Sequence, residues 1–188
     1  MLFFVKHNTM KLLKTILTLL LVLVSIPFIT GIFVSQEYSV VREITIAHPK
    51  TEVFQYIRLL KNQDSFSSWS LKDPNMTKSY KGLDGEVGFV SAWNSDDPNV
   101  GVGEQEIIAI NEGKRIEYAV RFKEPFQASD EAYMEVEEIN QNQTKVIWGF
   151  EGRMDYPMNT MLLIMDMEKM VGEDFFTGLQ KSKSVMEN

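Results

Sequence analysis

The sequence contains no cysteine and only two histidines, His7 and His48. Disulfides, thiol nucleophiles and cysteine-based zinc sites are therefore excluded. A metal site would have to be built from carboxylates, and no calcium loop of the D-x-[DN]-x-[DN]-G kind is present. No metal or cofactor is expected. Acid is missing from residues 1–34, which hold Lys6, Lys11 and Lys14. The other 154 residues carry 16 basic and 26 acidic side chains, against a net charge of −7 for the whole chain of 188. A surface so acidic has nothing with which to release the counterions of a phosphate backbone, so no nucleic-acid partner is expected. The "GVGE" stretch lacks the G-x-x-x-x-G-K-[ST] pattern of a phosphate loop, and no helix follows it.

What is present begins with an apolar run. Thr15 to Val34, "TILTLLLVLVSIPFITGIFV", is 20 residues without a charge. As a helix it spans about 30 Å, the thickness of a bilayer's hydrocarbon core. Pro27 and Gly31 weaken a soluble helix but are tolerated in a membrane. The lysines precede the run, which predicts a cytoplasmic N-terminus and a domain on the far side of the membrane. A cleaved signal peptide is the alternative, although "FITGIFVSQ" is a poor cleavage site and the run exceeds a signal core of about 7–15 residues. A buried soluble helix is a third reading. The division expected is an anchor over residues 1–35 and one domain over residues 36–188.

The domain opens with "EYSVVREITIAHP", a strand over about Tyr38–Ile46. In "PKTEVFQYIRLLKN", Pro49 suits a first helical position, and Val53, Phe54, Ile57 and Leu60 share one stripe. The polar, broken segment that follows has Phe66 and Trp69 as its apolar points. From Thr77 the period changes to two. Six strands are separated by turn chemistry such as "GLDG", "NEGK" and "NQNQ". One face carries Ile116, Tyr118, Val120, Phe122, Ala132, Met134, Val136, Val146, Trp148 and Phe150. The other carries Glu117, Arg121, Glu131, Glu135, Glu137, Lys145, Glu151 and Arg153. A sheet with one dry and one wet face is antiparallel. A helix must cover the dry face, and the last segment, about Met158 to Met186, is the one long enough. Met154, Met158, Met161 and Met165 are spaced by four, three and four, as on one helical face. Methionine's flexible thioether suits a wall that adapts to varied apolar ligands, or a core filled with soft side chains.

Three stretches resemble the START-like (SRPBCC) superfamily, within it the polyketide cyclase/dehydrase and lipid-transport branch. They are "SVVREITIAHPKTEVFQYI", "GLDGEVGFVSAW" followed by "VGVGEQEI", and "MNTMLLIMDMEKMVGEDFFTGLQKSK" with Gly172, Asp174, Phe175, Gly178 and Leu179. The resemblance covers residues 38–186. It implies an α+β helix-grip fold: a curved antiparallel seven-stranded sheet wrapped round a long C-terminal helix, here preceded by one N-terminal transmembrane helix. It also implies a hydrophobic cavity under that helix, and it implies no single activity.

The residues expected to line the cavity are Trp69, Trp93, Tyr118, Met134, Trp148, Met161 and Met165, with Trp69 placed at its mouth. The expected function is a membrane-anchored binding module for an apolar or amphipathic, lipid-like small molecule. One alternative is a cyclase/dehydrase-like enzyme in the same cavity, for which Glu104, Glu106 and Tyr118 are the ionisable candidates. Another is a co-chaperone-like interaction module, but the outward strand positions are densely charged. No catalytic residue is named, because no His, Cys or Lys stands at motif spacing to these acids. Asp166, Glu168, Glu173 and Asp174 with Lys169 read as a solvated helix face. Asn75-Met76-Thr77 and Asn142-Gln143-Thr144 fit the glycosylation acceptor pattern. The protein partner, if any, is left open.

Overall fold

A computed structural model describes the backbone of residues 2–188 and the side chains of residues 10–188. Lys6 and His7 of the basic tip lie outside the described side chains. The chain packs as two units. One runs to Gln36 and includes Met154–Met165; the other holds Glu37–Arg153 and Asp166–Asn188.

The first unit is built on helix α1, Leu2–Gly31. Its stretch Met10–Gly31, 22 residues, is long and apolar enough to cross a membrane, and its apolar side chains face outward. The hydroxyls in it are satisfied internally: Thr15, Thr18, Ser25 and Thr30 donate to the carbonyls of Lys11, Lys14, Val22 and Ile26. Such back-bonding removes a polar group from an apolar solvent's reach. The helix stops at Gly31, and the last part of the uncharged run forms a turn in which Phe33 N–H bonds the Thr30 carbonyl.

The rest of this unit corrects a sequence expectation. Met158–Leu163 is a 3-10 helix, separate from the C-terminal helix, which begins only at Met167. The turn closes because the N–H groups of Ile164 and Met165 both bond the Met161 carbonyl. Asp166 then caps the new helix, its carboxylate accepting from the Lys169 N–H at 2.9 Å. Met161 and Met165 therefore do not sit on the C-terminal helix. The four-three-four spacing forms no continuous helical face.

The second unit is the helix-grip domain. Its strands are β1 Glu37–Ile46, β2 Thr77–Lys81, β3 Val90–Asn94, β4 Val102–Asn111, β5 Arg115–Glu124, β6 Ala128–Asn140 and β7 Gln143–Arg153. They form one curved antiparallel sheet in the order β1-β7-β6-β5-β4-β3-β2. Helices α2 Lys50–Arg58, α3 Leu60–Phe66 and α4 Ser68–Lys72 follow β1, and α5, Met167–Glu187, ends the chain. The dry face is the one that alternation predicts. Ile116, Tyr118, Val120, Ala132, Met134, Val136, Val146, Trp148 and Phe150 are all buried. On the other face Lys145 pairs with Glu137, and Arg115 with Glu135 and Glu117.

Helix α5 is tied along β1 by polar contacts. Arg42 pairs with Glu168 at 2.6 Å, Lys183 donates to the Thr45 carbonyl, and Glu187 accepts from the Ala47 N–H. Lys72 of α4 reaches Asp174 at 2.7 Å. The acidic stretch expected as a solvated face thus spends Asp166, Glu168 and Asp174 on a cap and two ion pairs. Gly172 is required where it stands, because a Cβ there would overlap the Arg42 guanidinium.

Candidate ligand-binding site

The dry side of the sheet meets the helices through aromatic rings. Trp148 of β7 stacks on Phe175 of α5 with centroids 4.4 Å apart, and takes the edge of Phe66 from α3 at 5.8 Å. Gly178 lets this happen, since a Cβ there would approach Trp148 to 2.9 Å. Phe150 and Tyr38 continue the row. The space under α5 is therefore occupied by the protein's own rings at this end.

The other end is different in kind. Phe122 of β5 receives two indoles edge-on, Trp69 from α4 and Trp93 from β3, each with centroids 5.9 Å away. Trp93 lies flat against Gly103 of the neighbouring strand, where any Cβ would collide with its six-membered ring. The Nε1 atoms of both tryptophans are buried and have no hydrogen-bond partner, and neither does Ser68 Oγ beside Trp69. An orphaned buried donor costs about 1–3 kcal/mol, so two indoles flanking one ring mark a place where acceptors are wanted. Lys72 stands over the Trp69 ring at 4.9 Å, placing a cation at the outer side of this cluster.

Tyr118 is fully buried beneath α3, and its hydroxyl also lacks a partner. Burial pushes that hydroxyl far above its ordinary value, and the nearby Gln63 amide, short of hydrogen-bond geometry with it, works the other way. Gln63 is itself buried and turns its Nε2 toward the sulfur of Met134, 3.7 Å away. Of the seven residues expected to line a cavity, Trp93, Tyr118, Met134 and Trp148 belong to this core, half-buried Trp69 borders it through Phe122, and Met161 and Met165 belong to the other unit. Sequence reading did not single out Gln63, Phe122 and Phe175 as site residues. Gln63 carried a signal, because it shares the stripe of Leu60 and Phe66 at a spacing of three.

Glu104 and Glu106 lie on the wet face. Both accept from Arg121, and Glu104 also pairs with Lys123 at 2.6 Å. The Lys123 hydrogen bond, set against a smaller desolvation cost, holds the Glu104 carboxyl below its ordinary value. Neither acid is turned toward the interior. A surface depression of about 470 Å³ is lined by Lys72, Asp73, Asn75, Thr77, Asn94, Asp96 and Asp97, and is polar.

No protein-family model matches the chain, and no curated protein matches it. Solved structures do. The Aha1 dimer from Colwellia psychrerythraea aligns with a TM-score of 0.55 at 12% identity, over 80% of this chain and 96% of that one. Ara h 8.0201 gives 0.55 at 14%, over 81% and 99%. A protein from Thermobifida fusca gives 0.54 at 16%, over 77% and 90%. At such identities the likeness is one of fold alone, and that fold is the helix grip.

Proposed function

We propose that the helix-grip domain is a binding module for an amphipathic, lipid-like small molecule, held near a membrane by α1. The observation that carries this reading is the pair of unpartnered indole donors of Trp69 and Trp93 round Phe122. An apolar body would pack against the rings of Trp69, Trp93 and Phe122. A carbonyl or carboxylate at one end would accept from the two N–H groups, with Lys72 at the outer side. Solved structures of like fold support a ligand-binding module in general terms.

The anchor is read as retained. Asn159 donates to the carbonyls of Gly31 and Val34 at 2.7 and 2.8 Å, and Tyr156 donates to that of Phe28 at 3.0 Å. A cleaved signal would leave those side chains without their acceptors. Lys11 and Lys14 then put the N-terminus on the cytoplasmic side.

The test is native mass spectrometry of the full chain released from nanodiscs made with a total lipid extract. A discrete retained mass on the native chain, lost in the Trp69→Phe, Trp93→Phe double variant, is the expected result. Phenylalanine keeps the ring contacts and removes only the donors. A folded native chain without added mass, or equal retention by both proteins, would overturn the reading.

A further inference from the structure

The segment between β7 and α5 has an unusual composition for a connection. Tyr156–Met165, "YPMNTMLLIM", is ten residues without a charge, bracketed by Asp155 and Asp166. A surface loop has no need of so much apolar side chain. Met158, Leu163 and Ile164 are 58%, 63% and 78% exposed, and Ile32 and Phe33 at the end of α1 are 70% and 85% exposed. All five lie in the unit built on α1.

The segment is fixed at one level of that helix. The buried Asn159 amide holds the carbonyls of Gly31 and Val34, which have no onward helical partners. Tyr156 crosses the same turn, its ring edge-on to Phe28 with centroids 6.2 Å apart and its hydroxyl on the Phe28 carbonyl. Gly31 admits both, because a Cβ there would meet Asn159 Oδ1 at 3.0 Å and the Tyr156 ring at 3.1 Å. A 3-10 helix rises about 2 Å per residue, so Leu163 and Ile164 are within about 10 Å of Asn159. The polar zone of a bilayer is about 5–8 Å deep on each side of its hydrocarbon core. Wherever the end of α1 sits at that boundary, the segment sits there too.

We infer that Tyr156–Met165 is a second membrane contact: an interfacial collar whose Met158, Leu163 and Ile164 enter the lipid beside Ile32 and Phe33. The inference rests on α1 spanning the bilayer. Its occupant is the lipid surface, because the apolar positions continue those of the span without a charge between them and the anchoring residue is an interface aromatic. The collar also accounts for methionine at Met158: a flexible apolar side chain suits a disordered lipid surface as well as it suits a variable ligand.

The chain has no cysteine, so single reporters can be placed in the full-length protein. Leu21→Cys, Leu163→Cys and Ile164→Cys, each carrying an environment-sensitive fluorophore, are reconstituted in nanodiscs containing lipids spin-labelled either near the headgroup or deep in the chain. All three positions are exposed, so labelling disturbs no packing. Deep quenching at Leu21 with at least twofold shallow quenching at Leu163 and Ile164 is the result expected. Deep quenching at Leu21 with water-like emission and no quenching at both collar positions overturns the collar and leaves the span intact. No quenching at Leu21 overturns the spanning reading itself, and the collar with it.

Discussion

Leu21 and Leu60 are the same residue in opposite surroundings. Leu21 is 70% exposed on α1, while Leu60 is 2% exposed under the sheet. The pattern holds across each unit. In the domain, Val53, Ile57, Ile116 and Met134 are fully buried; on α1, Leu17, Leu19 and Leu23 all face outward. The domain gains its stability from apolar surface removed from water. The unit round α1 has almost no such surface to remove: beside the one ring contact of Phe28 with Tyr156, it holds the Asn159 and Tyr156 hydrogen bonds and five back-bonded hydroxyls, those of Thr15, Thr18, Ser25, Thr30 and Thr160. A hydroxyl returned to its own backbone makes sense where the surrounding solvent offers no hydrogen bond. The two units thus differ in where their apolar side chains lie, inside the domain and outside on α1.

The largest effect that sharpens this contrast comes from Trp148→Ala, which removes the stack on Phe175 and the edge contact with Phe66. It is expected to cost the domain about 3–5 kcal/mol, read from chemical unfolding of the full chain, whereas Leu21→Ala leaves that transition where it is. Next is Asn159→Ala. It strips the Gly31 and Val34 carbonyls of their donor and is expected to cost about 1–3 kcal/mol locally. Hydrogen exchange would show this as faster opening of the last turn of α1, with the sheet amides unchanged. Equal loosening of both would break the division into two units.

Charge provides the smaller tests. Asp130 is buried and accepts from the Arg153 N–H at 3.0 Å. Burial holds its carboxyl above the ordinary 3.8, with that N–H working against the rise. A raised value means that the folded state favours the proton. The stabilising contribution is full below pH 3.8 and is lost as pH rises through the raised value. Asp130→Asn keeps the acceptor and is expected to stabilise the domain at pH 7, with the gain fading toward pH 3.8. Glu104 behaves oppositely. Its lowered value makes its contribution present above pH 4.5 and lost as pH falls below that. Glu104→Gln is expected to cost at most about 1 kcal/mol at pH 7, less in high salt and nothing in acid. Urea midpoints across pH 3–7 check both signs at once.

The sheet was legible in the sequence because period-two alternation leaves little freedom. In β5, β6 and β7 a slip by one residue would exchange Tyr118, Met134 and Val146 for Glu117, Glu135 and Lys145. Residues 158–166, expected as the start of the C-terminal helix, were misread for the same physical reason in reverse. Methionines four, three and four apart imitate a helical face, and long apolar side chains do not announce which element they belong to. The signals against one long helix were Pro157 and the Asp166-x-x-Lys169 cap, both visible in the sequence. Asn159 was overlooked because a single amide in an uncharged run reads as incidental; its meaning depends on carbonyls more than a hundred residues earlier. Among the site residues, the aromatics could be named but not their neighbours. Nothing in the spacing says that Trp69 and Trp93 converge on Phe122.

The sheet order places the first strand beside the last. Glu37 faces Arg153 across that pair, 116 residues along the chain. During synthesis at about 5–20 residues per second, β1 waits about 6–23 s before its partner has been made. For that interval Val40, Ile44 and Ile46 have no sheet to lie on. Such distant pairing also makes the final closure slow compared with the local β4–β7 meander. Glu37 and Glu43, on the face of β1 opposite Val40, Ile44 and Ile46, keep the waiting strand charged on one side and discourage it from joining a neighbouring nascent chain.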